Sequence, residues 1–340
     1  LFRKGIKMKL YMKLMTTTAL ALSVAACGSS KGIDKVIDVT DITKEAQAKR
    51  TFATDKDGNP VDAGGAIAAG KTLTARAVGV SLKNLNYETG KTSLKSGGTA
   101  SIKRNDAGAL TVTINGVEKA FKPSDITAEG DGYEVDGADG YFGVYSYTDQ
   151  IADFLTAGNG YSQVIEIQRD LNDPDNPGLH ENAFAVIGTE TADADLKALP
   201  KAVYSGRSRV NVIPNSGFES NQESRYKVRS EVAMTADFGA GEVWGTIGNT
   251  TVQDPGSNVR DAIGGTVKMN KTSFDNNGFA GTLTADQTFI NELEVDSGSG
   301  TYSGAFYGPK AEEVAGVLTL GLTDGDESMN GSGFFTADKQ

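Results

Sequence analysis

The sequence predicts an all-β protein of two β domains, the second an eight-stranded antiparallel up-and-down barrel. Three observations lead there. Apolar-x-Gly-x-apolar recurs four times in the second half, at Val243-x-Gly245-x-Ile247, Phe279-x-Gly281-x-Leu283, Tyr302-x-Gly304-x-Phe306 and Val314-x-Gly316-x-Leu318, with Tyr204-x-Gly206 as a partial fifth. Short runs of apolar and polar residues in alternation are separated by turn chemistry. The 42 glycines are spread among those runs rather than gathered in tracts, which suits many short strands rather than disorder.

From the N-terminus, residues 1–26 read as an export signal. Arg3, Lys4, Lys7, Lys9 and Lys13 precede an apolar stretch at 14–26 that is too short to span a bilayer. Leu22-Ser23-Val24-Ala25-Ala26-Cys27 resembles the lipobox at which bacterial lipoproteins are cut before a lipid-modified cysteine. Cys27, the only cysteine, is therefore the expected lipidation site, and several acyl chains at about 0.8 kcal/mol per buried methylene would anchor it stably. Gly28, Ser29 and Ser30 follow, with no aspartate next to the cysteine, which points to the outer membrane. Residues 27–50 read as a lipidated tether, with a short helix at 41–49.

Residues 51–195 form the first β domain. Leu110-Thr-Val112-Thr-Ile114 and Val117-Glu-Lys-Ala-Phe121 flank Asn115-Gly116, a strong hairpin signal. Further strands are expected at 141–147, 162–168 and 184–187, a helical turn at 149–155, a polar loop at 169–181 and a linker at 191–199. Residues 196–340 form the barrel, with strands near 201–212, 227–238, 241–248, 263–270, 277–285, 299–307, 313–322 and 329–337. In each glycine pattern the three positions share one face of a strand. A small barrel needs that arrangement, because glycine lets the strand coil while its apolar neighbours fill the interior. Gly239-Ala-Gly241, Asp275-Asn-Asn-Gly278 and Asp324-Gly-Asp-Glu supply hairpin turns. Thr282, Thr284, Ser303, Asp237 and Lys268 fall on strand exteriors, too polar for a lipid-facing band.

Removing residues 1–26 takes five of the 33 basic residues and none of the 44 acidic ones, leaving 28 against 44 and a charge near -16. That balance argues against nucleic acid and suits solubility or a basic partner. With Cys27 committed to lipid, no disulfide is available, so stability must come from burial.

Catalytic and metal chemistry finds little support. His180 is the only histidine and sits in Asp173-Pro-Asp175-Asn-Pro177-Gly-Leu-His180. The ordinary reading is a solvated loop residue, and the sharper one a lone axial ligand to haem or a metal. Ser-His-acid catalysis would have to use the same residue with no Gly-x-Ser-x-Gly elbow. Asp55-Lys-Asp57-Gly-Asn59 resembles a calcium loop, but Pro60 and Ala66 stand where glycine and glutamate belong. The oxygen-rich stretch Asp170, Asn172, Asp173 and Asp175 reads as an exposed turn. No catalytic, cofactor-binding or metal residue is assigned, and the protein is expected not to be an enzyme. Trp244, opposite Val243 on its strand, is expected to pack against the first domain, with exposed anchoring of a partner as the alternative. The stretch Asp254-Pro-Gly-Ser-Asn258 belongs to an inter-strand loop of the kind that carries recognition.

Gly304-Ala-Phe306-Tyr307-Gly308-Pro309-Lys-Ala311-Glu312-Glu313-Val-Ala-Gly316 resembles the penultimate barrel hairpin of the transferrin-binding protein B superfamily of surface lipoproteins. Gly333-Phe334-Phe335-Thr-Ala337-Asp-Lys339 is similar to that family's last strand. Ala236-Asp237-Phe238 and Ala202-Val-Tyr204-Ser-Gly206 fit as well, and Val186-Ile-Gly188-Thr-Glu-Thr191 looks like its passage from handle to barrel. The resemblance implies a handle-like β domain, 51–195, packed on the barrel as a single lobe. It also implies a monomeric, lipid-anchored, non-enzymatic protein at the outer membrane that binds a protein, haem or other solute through loop surfaces. The alternative is a structural or complement-evasion envelope lipoprotein. An exposed apolar loop patch favours the first and uniformly charged loops the second.

Overall fold

The structure, a computed structural model, describes residues 53–54, 60–61, 72–83, 91–105, 109–114, 117–128, 132–138, 140–146, 161–173, 176–188, 190–215, 225–255, 257–275 and 277–340. Cys27, the tether with its expected helix, the calcium-like loop at Asp55 and the expected turn at 149–155 lie outside the described residues. Apart from a two-residue pair, β1 (Ala53–Thr54) with β2 (Pro60–Val61), the strands build two antiparallel sheets.

The handle sheet runs β3 (Thr72–Lys83), β4 (Lys91–Arg104), β5 (Leu110–Ile114), β6 (Val117–Phe121), β7 (Gly132–Gly137), β8 (Gly140–Ser146), β9 (Ser162–Asp173) and β10 (Asn176–Gly188). Its spatial order is β6-β5-β4-β3-β10-β9-β8-β7, so the two meanders meet where β3 pairs with β10. The edge strands β6 and β7 then approach each other. Ile126 bridges to Tyr133, and the Phe121 ring lies 6.0 Å from that of Tyr133 and 5.7 Å from that of Phe142. The sheet thus curls around one core that includes Ile102, Leu110, Val112, Val144, Ile167 and Ala185. The expected hairpin around Asn115-Gly116 forms, with Ile114 opposite Val117.

One expectation is corrected here. Residues 169–173 and 176–181 are strand rather than loop, because β9 and β10 continue as a ladder as far as Asp173 opposite Asn176. The Arg169 guanidinium pairs across it with the Glu181 carboxylate. Turn-forming Asp, Asn and Pro dominate the composition there, yet the two backbones stay paired, with Leu171 opposite Leu179.

The barrel follows the expected count. Its staves are β11 (Ala202–Pro214), β12 (Tyr226–Asp237), β13 (Glu242–Gln253), β15 (Val267–Asp275), β16 (Gly278–Ala285), β17 (Ser297–Tyr307), β18 (Glu313–Asp324) and β19 (Glu327–Lys339). Closure comes from β11 pairing with both β12 and β19, and from β12 pairing with β13. A ninth strand, β14 (Arg260–Ile263), extends only the far half of β13. The break falls near Asn249, which has a left-handed φ of 48°.

Both large residues of every glycine pattern lie in the barrel core: Val243 and Ile247, Phe279 and Leu283, Tyr302 and Phe306, Val314 and Leu318. Gly304 and Gly316 sit directly opposite one another. A Cβ at Gly304 would come 2.7 Å from the Phe279 ring, and one at Gly316 2.7 Å from the Phe335 ring. The glycines make room for these rings, which fill the interior in their place.

Each barrel end is closed. At one, α1 (Asp193–Leu196) in the linker places Leu196, fully buried, beneath the aromatic group of Tyr204, Phe238, Phe274 and Phe306. Asn277, buried with φ 56°, ties this end together. Its amide donates to the carbonyls of Thr191 and Phe306 at 2.8 and 2.7 Å, and its oxygen accepts from Phe306 N–H at 2.8 Å. At the other end lies α2 (Gln287–Leu293), capped by Asp286, whose carboxylate accepts from Phe289 N–H. Its Phe289, Ile290 and Leu293 face the core.

The handle rests on one wall of the barrel. Val164, Phe184 and Val186 pack against Ala305, Tyr307, Ala315, Val317 and Phe334. Glu313 accepts from the Tyr161 and Ser162 amides, each at 2.9 Å, and from the Ser162 hydroxyl at 2.7 Å.

Candidate functional site

With its interior filled from all eight staves and both ends closed, the barrel offers its outer surface, not its lumen, for recognition. The helix-capped end of that surface is rich in carboxylates. Residues 285–297 carry four carboxylates, Asp286, Glu292, Glu294 and Asp296, and residues 323–328 carry three, Asp324, Asp326 and Glu327. Neither segment holds a lysine or arginine. All but half-buried Glu327 are exposed. Asp296 joins the two segments, since its carboxylate accepts from Gly325 N–H at 2.8 Å and its own N–H donates to the Thr323 carbonyl at 2.7 Å. Hydrogen bonds from Phe289 N–H foremost, then from Thr266, hold the Asp286 carboxyl below its ordinary value.

Beside this ridge stands the β13–β14 hairpin. Arg260 donates to the Gln253 side-chain oxygen at 2.6 Å. Burial, and secondarily Asp261, raises the Asp254 carboxyl above its ordinary value. Burial and then Asp254 raise the Tyr226 hydroxyl. Val259 at the tip is 64% exposed. It and Ile126 of the handle are the large apolar residues exposed among the described residues. They lie on different domains, so the described loops form no apolar patch.

Other residues singled out in the sequence are placed as follows. His180 lies on β10, not in a loop, opposite Asp170 of β9. Asp170 and Asn172 lie on β9 as well. Among the described residues Trp244 is not part of the handle–barrel contact, which lies on β17, β18 and β19 across the barrel. Its indole instead carries two lysine ammonium groups, Lys271 at 4.5 Å and Lys201 at 5.1 Å from the ring centroid, and Lys271 also reaches the Glu242 carboxylate at 2.8 Å. Cation–π contact explains a half-buried tryptophan on an outer wall. Among the described residues, no three His, Cys, Asp or Glu side chains gather to hold a metal ion, and no helix is long and apolar enough to cross a membrane. Thr282, Thr284 and Lys268 are exposed on the barrel wall as expected. The sequence reading missed α2 and its acidic surroundings, although Asp286 as a cap and Phe289, Ile290 and Leu293 at helical spacing carried the signal.

The molecule is thus an all-β lobe in which a curled handle sheet supports a closed, filled barrel. Residues 199–339 match the family described as the C-lobe and N-lobe beta barrels of Tf-binding protein B. The likeness to that family lies in the barrel half of the chain. The chain is similar to the Neisserial heparin binding antigen of Neisseria meningitidis serogroup B, at 35% identity over 123 residues, or 36% of this chain and 20% of that protein. The match therefore spans a fifth of the relative's length. Among solved structures, it is similar to transferrin binding protein B of Haemophilus parasuis Hp5, with a TM-score of 0.41 and 17% identity over 78% of this chain and 45% of that one. The isotype 1 protein of serogroup B Neisseria meningitidis gives a TM-score of 0.37 and 16% identity over 78% and 43%.

Proposed function

We propose that this chain is a non-enzymatic outer-membrane lipoprotein, anchored through a lipidated Cys27, which binds a basic protein surface through the helix-capped end of its barrel. The observation that carries the reading is the acidic ridge, seven carboxylates on two adjoining segments that hold no lysine or arginine. Such a field speeds encounter with a cationic partner and weakens with salt. The second reading, a structural or complement-evasion envelope protein, draws support from the same charged loops without an apolar patch.

One experiment separates them. Wild-type chain and a variant with Glu292→Gln, Glu294→Gln, Asp324→Asn and Asp326→Asn are immobilised and exposed to host serum proteins at low and at 0.5 M salt, the latter leaving a Debye length of only about 4 Å. Retention of a basic protein by the wild type at low salt alone, lost in the variant, supports the binding reading. Equal retention by both, or none, favours the structural one. Protease treatment of intact cells tests display, and a barrel degraded only after lysis contradicts it.

A further inference from the structure

On the outer face of the handle, the hydroxyls of Tyr141 and Tyr145 are in direct contact. Glu134 Oε2 lies 3.0 Å from the Tyr145 hydroxyl and 3.5 Å from that of Tyr141. Strand alternation sets Tyr141 and Tyr145 opposite Phe142 and Val144, which are buried in the handle core. Both tyrosines are half-buried and Glu134 is exposed, so the three oxygens meet where solvent reaches them.

Gly143 makes this convergence feasible. It stands between the tyrosines and directly opposite Glu134 on β7, and a Cβ there would come within 2.6 Å of both hydroxyls. Its φ is not left-handed, so glycine serves here for the space it leaves. Asp136 is opposite Tyr141 in the register.

The geometry points to a ferric-ion site, with Tyr141, Tyr145 and Glu134 as ligands. A phenol keeps its proton to about pH 10 in water, so only a strongly Lewis-acidic cation displaces it at neutral pH. Two phenolates and one carboxylate carry three negative charges, matching a trivalent ion, and all are hard oxygen donors. Calcium and magnesium draw instead on carboxylates, carbonyls and water. Binding releases one proton from each tyrosine to solvent and leaves the iron in its ferric state, so affinity rises with pH. The site is on the handle sheet and stands whether or not the acidic end of the barrel binds a protein.

Ferric nitrilotriacetate titrated into the full chain tests it, read by the visible tyrosinate-to-iron charge-transfer band and its resonance Raman tyrosinate modes. A saturable band at one iron per chain is expected. Tyr141→Phe and Tyr145→Phe each weaken it by at least about ten-fold. Glu134→Gln weakens it as well, while Glu242→Gln, on the barrel, leaves it unchanged. Phenylalanine keeps the ring and removes only the hydroxyl, and circular dichroism verifies that each variant is folded. Absence of the band, or a band of undiminished affinity in the double tyrosine variant, overturns the assignment. Hemin binding through a Soret change without any ferric titration overturns it too.

Discussion

Replacing Asn277 with alanine tests how the barrel is joined to its linker. The side chain holds the Thr191 carbonyl, the Phe306 carbonyl and the Phe306 N–H. The Phe306 carbonyl keeps a second donor, Thr191 N–H at 2.9 Å, so alanine leaves two buried groups without a partner. At about 1–3 kcal/mol for each unsatisfied group, the loss is about 2–6 kcal/mol. The left-handed backbone at this position adds about 1–2 kcal/mol for alanine but little for glycine. Asn277→Ala should therefore destabilise by about 3–8 kcal/mol, and Asn277→Gly by about 1–2 kcal/mol less. The assay is urea unfolding of the full chain, followed by the fluorescence of Trp244, the sole tryptophan, which reports on the barrel. A loss below about 1 kcal/mol for alanine, or a glycine variant no more stable than the alanine one, would refute both the hydrogen-bond accounting and the conformational argument.

Three further outcomes follow from the same geometry. Leu196→Ala should cost about 2–5 kcal/mol in that assay, because it empties a fully buried position under the aromatic group; an unchanged midpoint would mean the linker helix is no plug. Glu313→Ala should leave the Tyr161 and Ser162 amides unpaired at the junction, costing at least about 2 kcal/mol and speeding proteolytic cleavage between handle and barrel, whereas an unchanged digestion pattern would count against the coupling. Because the Asp286 carboxyl titrates below its ordinary value of 3.8 in the folded state, its stabilisation is complete above that value and disappears as pH falls through the lower folded one. Asp286→Asn should accordingly flatten the acid limb of a stability profile measured from pH 2 to 7, and a parallel limb would rule the cap out as its source.

The barrel was legible because its constraint is local and repeated. A glycine between two large apolar residues on one strand face states both which side is inward and that the strand must coil. The hairpin at Asn115-Gly116 was legible for a similar reason. The continuation of β9 into β10 was not, since Asp170, Asn172, Asp173 and Pro177 are turn formers by composition and are held in strand by their cross-strand partners. Trp244 was placed correctly on the outer wall but with the wrong neighbours. Lys201 and Lys271 come to it from other parts of the chain, and no spacing rule connects them. Tyr141-x-Gly143-x-Tyr145 repeats the barrel's own pattern on the handle, yet its meaning depends on Glu134 across the hairpin. The acidic ridge was visible as composition and became a surface only when Asp296 was seen to join α2 to the β18–β19 turn.

The pairing of β11 with β19 also sets a timetable. In chain order these are the first and last staves, so β11 is made long before its second neighbour exists. Through synthesis its open edge must be kept from pairing with other chains. Ring closure is then the final event, resting on the 13 residues of β19. Loss of that strand would expose the edges of both β11 and β18, and the expected result is a sticky, unclosed sheet rather than a smaller barrel.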